Sequence, residues 1–216
     1  MKQKDVFLGS EGDAWFARNH AGIQNKDFST QDQIAAQIQA IARDSRAPLS
    51  VLEIGCGEGL RLAWIKNTLH MTVAGIDPSA KAVEAASRRG VPAVQGTADA
   101  LPFADGQFDI VIFGFCLYLC DVDDLFRIAG EAHRVLKRSG WIVIQDFYSP
   151  APVRRPYHHK PGIFSHKMDY KRLFDWHPDY TCLASSVQHH GSDHFTDDRS
   201  EWVATTVIRK SPASDD

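Results

Sequence analysis

The chemistry in this sequence gathers around one turn. The run Ser50-Val51-Leu52-Glu53-Ile54 ends in Gly55-Cys56-Gly57-Glu58-Gly59, and an acid, Asp77, follows 22 positions after Gly55. A glycine turn between a strand and a helix lets backbone N–H groups approach a nucleotide-like ligand, and an acid ending the next strand can accept from both ribose hydroxyls. In the dinucleotide pattern a third glycine comes three after the second and the helix start faces a pyrophosphate; here Gly59 comes two after Gly57, and Leu60 stands in the place of that third glycine. Glu53, just before the turn, would repel a pyrophosphate and suits a cationic ligand instead. S-adenosylmethionine, with its ammonium and sulfonium, is such a ligand.

The elements that must hold these residues follow from periodicity. Ser50–Ile54 reads as a strand, and Leu60, Leu62, Ala63, Ile65 and Leu69 as the buried face of the next helix. Met71 to Ile76 is a second strand, Ser79 caps a helix through Val83 and Ala86, and Gly90 closes it in the left-handed region. Val91–Val94, Phe108–Phe115 and Trp141–Phe147 continue the strands, with a helix from Asp123 to Lys137 between the last two. Upstream, Thr30-Gln31-Asp32-Gln33 has the form of a capping box before a helix through Ile34, Ile38 and Ile41. Tyr180–Val187 and Glu201–Ile208 form an antiparallel pair. Alternating strands and helices with near-continuous apolar strands predict an α/β, Rossmann-like fold: a seven-stranded, mostly parallel sheet with a C-terminal antiparallel hairpin and helices on both faces.

VLEIGCGEG, GIDPS, GTADALPF, FDIVIFGFCLYL and RVLKRSGWIVIQDF, in this order over about residues 50 to 148, closely resemble the class I S-adenosylmethionine-dependent methyltransferase family. The resemblance implies S-adenosyl-L-methionine as cofactor. It implies that Gly55, Cys56 and Gly57 line its methionine and ribose part, that Glu53 orients the amino-acid end and that Asp77 binds the ribose diol. Pro78 and Ser79 would lie beside the adenine, Thr97, Ala98 and Asp99 at its edge, and Phe113, Gly114 and Phe115 under the methionine. Many members carry an acid where Thr97 falls, so either Asp99 or Thr97 receives the adenine amino group; a turn-capping role for Asp99 stands beside that reading. Cys56 has no assigned redox chemistry, and Cys116 and Cys120 read as core or pocket lining.

The acceptor belongs beyond the carboxyl ends of the strands, where Tyr118 and Tyr148 follow strands four and five. Between Ala151 and Arg172 six Lys or Arg, among them Arg154 and Arg155, meet one acid, Asp169, a local charge of +5. That charge suits an anionic acceptor, and equally a solvated loop. Tyr157, His158 and His159 are candidate catalytic bases. Seven of ten histidines lie after residue 150, but no zinc-like spacing with cysteine accompanies them, and no metal is expected. Trp15 and Arg18, in the aromatic N-terminal stretch, are candidate acceptor contacts on a lid over the cofactor; a helix packing Trp15 and Phe16 on the core is the competing reading.

With 216 residues and a formal charge of -3, one domain is expected and nothing pulls the chain toward nucleic acid. No apolar run reaches the roughly 18 to 20 residues of a membrane span, so a cytoplasmic protein with reduced thiols and a small-molecule partner is expected. The expected organisation is a single domain over 1–210, with lid and helix over 1–45, cofactor core over 50–148, acceptor-side segment over 149–178, hairpin over 179–210, and a tail at 211–216. The functional reading is methyl transfer to oxygen or nitrogen of a small polar acceptor, anionic if the basic segment serves it. The rivals are a non-catalytic S-adenosylmethionine-binding protein and an NAD-dependent oxidoreductase, against which Glu53 and the glycine spacing count.

Overall fold

A computed structural model of the chain describes residues 2–23, 26–43, 45, 47–192 and 194–211. The expected tail beyond Ser211 lies outside the described residues.

The N-terminal helix is interrupted. Gln3–Val6 (α1) runs through a wider π turn, Phe7–Glu11, into Gly12–Ile23 (α2). Gly12 is required here: a Cβ would lie 2.7 Å from the Phe7 carbonyl and 3.0 Å from the Ser79 amide. The missing side chain lets this helix rest on the segment that follows Asp77. Next comes Gln33–Ala42 (α3), capped by Asp32, whose carboxylate accepts from the Ala35 amide at 2.8 Å. The capping box expected at Thr30 does not form, because the Thr30 hydroxyl donates instead to Asp27 at 2.7 Å.

The main sheet contains Ser50–Ile54 (β1), Thr72–Asp77 (β2), Ala93–Gln95 (β3), Phe108–Gly114 (β4) and Leu136–Phe147 (β5), all parallel. Leu60–Leu69 (α4), Ala80–Arg88 (α5) and Leu125–Val135 (α6) connect them. Outside the sheet, Val153–Pro156 (β6) and Phe164–Lys167 (β7) form a hairpin of their own, and Arg172–Asp175 (α7) is a single turn. Tyr180–His189 (β8) and Trp202–Lys210 (β9) complete a seven-stranded sheet in the order β3-β2-β1-β4-β5-β9-β8, with β9 antiparallel to both neighbours. The predicted Rossmann-like sheet with its antiparallel hairpin is the fold observed.

The sequence reading is corrected in three places, each for a local reason. The third strand starts at Ala93, because Val91 turns into the core and Pro92 has no N–H to give a ladder; the Pro92 carbonyl still receives the Gly75 amide at 2.8 Å. The fifth strand begins at Leu136, not Trp141. There α6 ends on an extended residue, and a kink at Ser139, in the left-handed region with φ 58°, accompanies a register shift opposite Phe108–Ile110. The hairpin β6–β7 was not anticipated, since Val-Arg-Arg-Pro has no alternation of apolar and polar residues.

Two apolar layers clamp the sheet. Ile34, Ile38, Leu62 and Ile65 from α3 and α4 cover one face; Leu125, Ile128, Ala132 and Val135 of α6, with Phe174, cover the other. Each fully buried Leu or Ile contributes about 1.5–3 kcal/mol. This clamping fixes the carboxyl ends of β1, β2, β4 and β5 relative to one another, and the site is built on those ends.

Candidate active site

At those ends lies a cleft of about 890 Å³, counting the space open to solvent. Gly55, Asp77, Pro78, Thr97, Ala98, Asp99, Gly114 and Phe115 line it, and Lys4, Phe7, Gly12 and Trp15 of the N-terminal helix roof it. All of these lining residues except Lys4 and Phe7 fell within the motifs and the N-terminal patch, Gly12 to Asn19, that the sequence offers as candidates.

The glycine turn is shaped by close approach. Gly55 has φ 76°, and a Cβ there would lie 2.6 Å from that of Cys116. Gly57 (φ 53°) has nothing within 4 Å of its missing Cβ, and its amide donates to Asp77 Oδ2 at 2.8 Å. The Ser79 amide donates to Asp77 Oδ1 at 2.9 Å, so the carboxylate is held from both sides at the cleft wall. Burial nonetheless outweighs these two bonds and pushes the Asp77 carboxyl up to about 6. Cys56 is buried against Gly75, where only a residue without a Cβ leaves it room. Ser79 is buried as well, donating through its hydroxyl to Asp13 at 2.7 Å and accepting from the Ala82 amide.

Glu53 sits beneath the cleft. Its carboxylate meets the Arg61 guanidinium, which also forks onto Asp32, with both nitrogens at 3.0 Å. Gly114 covers this pair: a Cβ would lie 2.8 Å from Arg61 Nη1 and 3.2 Å from Glu53 Oε1. The second oxygen, Glu53 Oε2, is buried without a hydrogen-bond partner among the described residues. Burial, with the negative charges of Asp32 and Asp77, outweighs Arg61 and raises the Glu53 carboxyl to about 7; Asp32, which burial would raise, is drawn down to about 2 by Arg61 and Lys26. Arg61 was not foreseen. A signal existed, since an arginine in the first turn of a helix faces the positive end of its dipole and needs a carboxylate to offset it.

At the other end, Asp99 is buried and ion-paired with Lys4. Burial would raise its carboxyl, but Lys4 and the Thr97 hydroxyl hold it below the usual carboxylate range. Lys2 pairs with Asp124 at 3.0 Å, and the Gln3 amide donates to Asp121 at 2.8 Å, so three consecutive residues of the N-terminal helix are tied down here. None of these ties had a sequence signal, because each joins residues about 95 or more positions apart.

The remaining candidates scatter. Phe113 is wholly buried in the core and does not reach the cleft. Tyr157 is buried against Phe7, and its hydroxyl accepts from Arg18 Nη2 at 3.0 Å while Arg18 pairs with Glu11 at 2.5 Å. His158 and His159 are exposed in the β6–β7 turn, with rings 3.9 Å apart. Arg154 and Arg155 are neighbours on β6 and so point to opposite faces of the hairpin; the Arg154 guanidinium lies 3.4 Å over the Phe164 ring. Lys171 pairs with Asp169 and Asp175, and Arg172 with Asp169, so the basic segment forms no single patch. Tyr118 packs on Phe147 at 5.0 Å. Tyr148 lies on Trp202, lining a separate hollow with Val187, Gln188, Phe195 and Thr196. Among the described residues no cluster of His, Cys, Asp and Glu could hold a metal, and no helix is long and apolar enough to cross a membrane.

Comparison with known proteins agrees with this geometry. Residues 52–144 match the family model described as a methyltransferase domain. An uncharacterised methyltransferase of Bacillus subtilis, YcgJ, is 36% identical over 133 residues, covering 58% of this chain and 50% of that protein. The demethylmenaquinone methyltransferase of Thermotoga maritima is 35% identical over 50% of this chain and 47% of its own length. The chain thus spans about half the length of the curated relatives it matches. Among solved structures, the 1,6-didemethyltoxoflavin-N1-methyltransferase of Burkholderia thailandensis, with S-adenosylhomocysteine bound, superposes with a TM-score of 0.70 at 16% identity, over 96% of this chain and 88% of that one. A methyltransferase of Methanosarcina mazei gives 0.63 at 17% identity, over 80% and 97%. With the motif order, the glycine turn and the sheet topology, these matches mark residues 52–144 as a methyltransferase domain on a Rossmann-like sheet.

Proposed function

We propose that this protein transfers the methyl group of S-adenosylmethionine to oxygen or nitrogen of a small acceptor. The observation that carries the proposal is the pairing of two carboxylates with one cleft: half-buried Asp77 on its wall, and buried Glu53 beneath it with an oxygen that no donor among the described residues satisfies. An unpaired buried carboxylate oxygen is costly unless a donor arrives, and the ammonium of the cofactor is a donor of the right charge. A ribose diol would find its acceptor in Asp77, and the Thr97–Asp99 edge offers polar groups to an adenine. Bound there, the cofactor supplies a methyl group on a positively charged sulfur. The chain's own part is to align the acceptor and exclude water, as in-line displacement requires; the roof of Phe7, Gly12 and Trp15 does the latter.

Part of the cleft is apolar, lined by Phe7, Trp15, Phe115, Cys116 and Leu119, and this is the part we propose for the acceptor. That lining supports a small acceptor with a flat, apolar body and one O–H or N–H. An anionic acceptor has less support than the charge of residues 151–172 implied: Arg154 and Arg155 do not line the cleft, and Arg18 is already paired with Glu11. Tyr157 is a poor base near neutral pH, because burial raises its hydroxyl above the ordinary phenol value despite Arg18. The proposal is tested by calorimetry with S-adenosylmethionine, S-adenosylhomocysteine and NAD, then by methyl transfer to a panel of phenols, quinols and heterocyclic amines. Binding of NAD alone would overturn it; binding of both sulfur compounds without turnover on any acceptor favours a non-catalytic binding protein.

A further inference from the structure

One buried acid, behind the turn that lines the cleft, has no part in the reading above. Asp146, the penultimate residue of β5, is 2% exposed, and its partners are backbone amides. Oδ2 accepts from Leu117 at 2.8 Å and, more weakly, from Tyr118 at 3.4 Å; Oδ1 accepts from Phe147 at 2.8 Å. Among the described residues no lysine or arginine is ion-paired with it. The groups that face it are Cys116, Tyr118 and Cys120 from the turn after β4, and Lys167 and Tyr170 from β7 and just beyond.

The residue just before this grip is strained. Phe115 has φ 54°, a region that bulky residues rarely adopt, and it lines the cleft. Such a conformation persists only where its surroundings over-determine it. Here one side is held by the Phe115 amide donating to the Gln145 carbonyl at 2.8 Å, and the other by the Asp146 carboxylate on the following turn. Phe147 and His190, both 5.5 Å from the Phe115 ring, then fix its direction. Adjacent residues of β5 thus clamp Phe115 from both ends, one through its carbonyl and one through its side chain. The expense of burying a carboxylate with no cation paired to it among the described residues makes sense where the acid holds a shape that a neutral residue would let relax.

We propose that Asp146 is a positioning residue: its carboxylate keeps Phe115 in the left-handed conformation and so sets the wall of the cleft between the cofactor and the acceptor. The inference rests on the methyltransferase reading for the meaning of the wall, but not for the clamp itself. The test uses the whole chain, wild type and Asp146→Asn, with two readouts. In the ligand-free protein, the Leu117 amide proton is followed by NMR from pH 5 to 9, and its exchange with deuterium is measured. In wild type the Leu117 resonance should follow the ionisation of Asp146. In the variant that transition should vanish, and the amide should exchange about tenfold faster, the loss of a charge-assisted hydrogen bond being worth about that factor. S-adenosylhomocysteine affinity, by calorimetry, should fall about fivefold or more in the variant, while far-ultraviolet circular dichroism stays the same. If Asp146→Asn fails to fold, the wild-type titration of Leu117 decides alone. An unchanged Leu117 shift and exchange in the variant, or a wild-type Leu117 resonance that does not move with pH, overturns the clamp. Absence of S-adenosylhomocysteine binding by wild type overturns the proposed function instead, and leaves the amide result standing.

Discussion

Binding of S-adenosylhomocysteine should release protons, and the amount can be worked from the site. Glu53 is raised to about 7 by burial and by Asp32 and Asp77, so at pH 6 about 90% of the molecules hold it protonated. The ligand's ammonium, donating to Oε2, favours the ionised form; once it binds, that proton must leave. Asp77, raised to about 6, adds to the effect when it accepts from the ribose hydroxyls. From Glu53 alone the expected release is about 0.9 proton at pH 6, about 0.5 at pH 7 and about 0.1 at pH 8. Affinity should therefore rise about tenfold between pH 6 and pH 8, roughly 1.4 kcal/mol. The assay is calorimetry in buffers of contrasting ionisation enthalpy at each pH, since the slope of observed heat against that enthalpy is the proton count. Glu53→Gln should abolish most of the slope and weaken binding. A slope near zero at pH 6 in wild type would refute the argument, for it would mean that Glu53 is already ionised or does not meet the ammonium.

Asp77→Ala should reduce S-adenosylhomocysteine binding below detection while the urea midpoint stays close to wild type, as the deletion also relieves a raised carboxyl; unchanged affinity would remove the ribose site. Arg61→Ala should cost about 3–5 kcal/mol in urea denaturation, because Glu53 and Asp32 lose the guanidinium between them; a loss under 1 kcal/mol would show that the network does not hold the core. Ligand-free stability should fall as pH rises from 5 to 8: Glu53, Asp77 and Asp146, with carboxyls at about 7, 6 and 7, favour the folded state when protonated, and that contribution is lost as pH passes each folded value. Asp32, drawn down to about 2, works the opposite way, its contribution present above about 4 and lost only in strong acid; urea midpoints at pH 5, 6.5 and 8 give the sign. Arg154→Ala and Arg155→Ala should leave S-adenosylhomocysteine affinity within twofold of wild type by calorimetry, since neither side chain lines the cleft.

What the chain's order of residues determined on its own was local. The strand before Gly55, the glycine turn, the capping of α5 by Ser79 and its closure at Gly90 with φ 73° each depend on residues within a few positions of one another, where apolar period and backbone stereochemistry act directly. Asp77 belongs with these, because the length of one strand–helix–strand unit fixes how far after the turn the next strand ends. The near-continuous apolar runs in β1, β4 and β5 likewise announced a sheet covered on both faces.

Tertiary structure decided which charges meet. Asp32 and Arg61 are 29 positions apart and Lys4 and Asp99 are 95, and no periodicity records such pairings. The same holds for the basic segment after residue 150: its charge was plain, but the hairpin β6–β7 sends alternate side chains to opposite faces, and Asp169 takes up Lys171 and Arg172. Phe113 reads as a cleft residue from its motif, but inside β4 it packs into the core, while Phe115, past the strand end and turned by its φ of 54°, lines the cleft. Sequence reports the interactions that neighbours along the chain impose; the cleft is made by contacts between distant segments, and those exist only once both faces of the sheet have been packed.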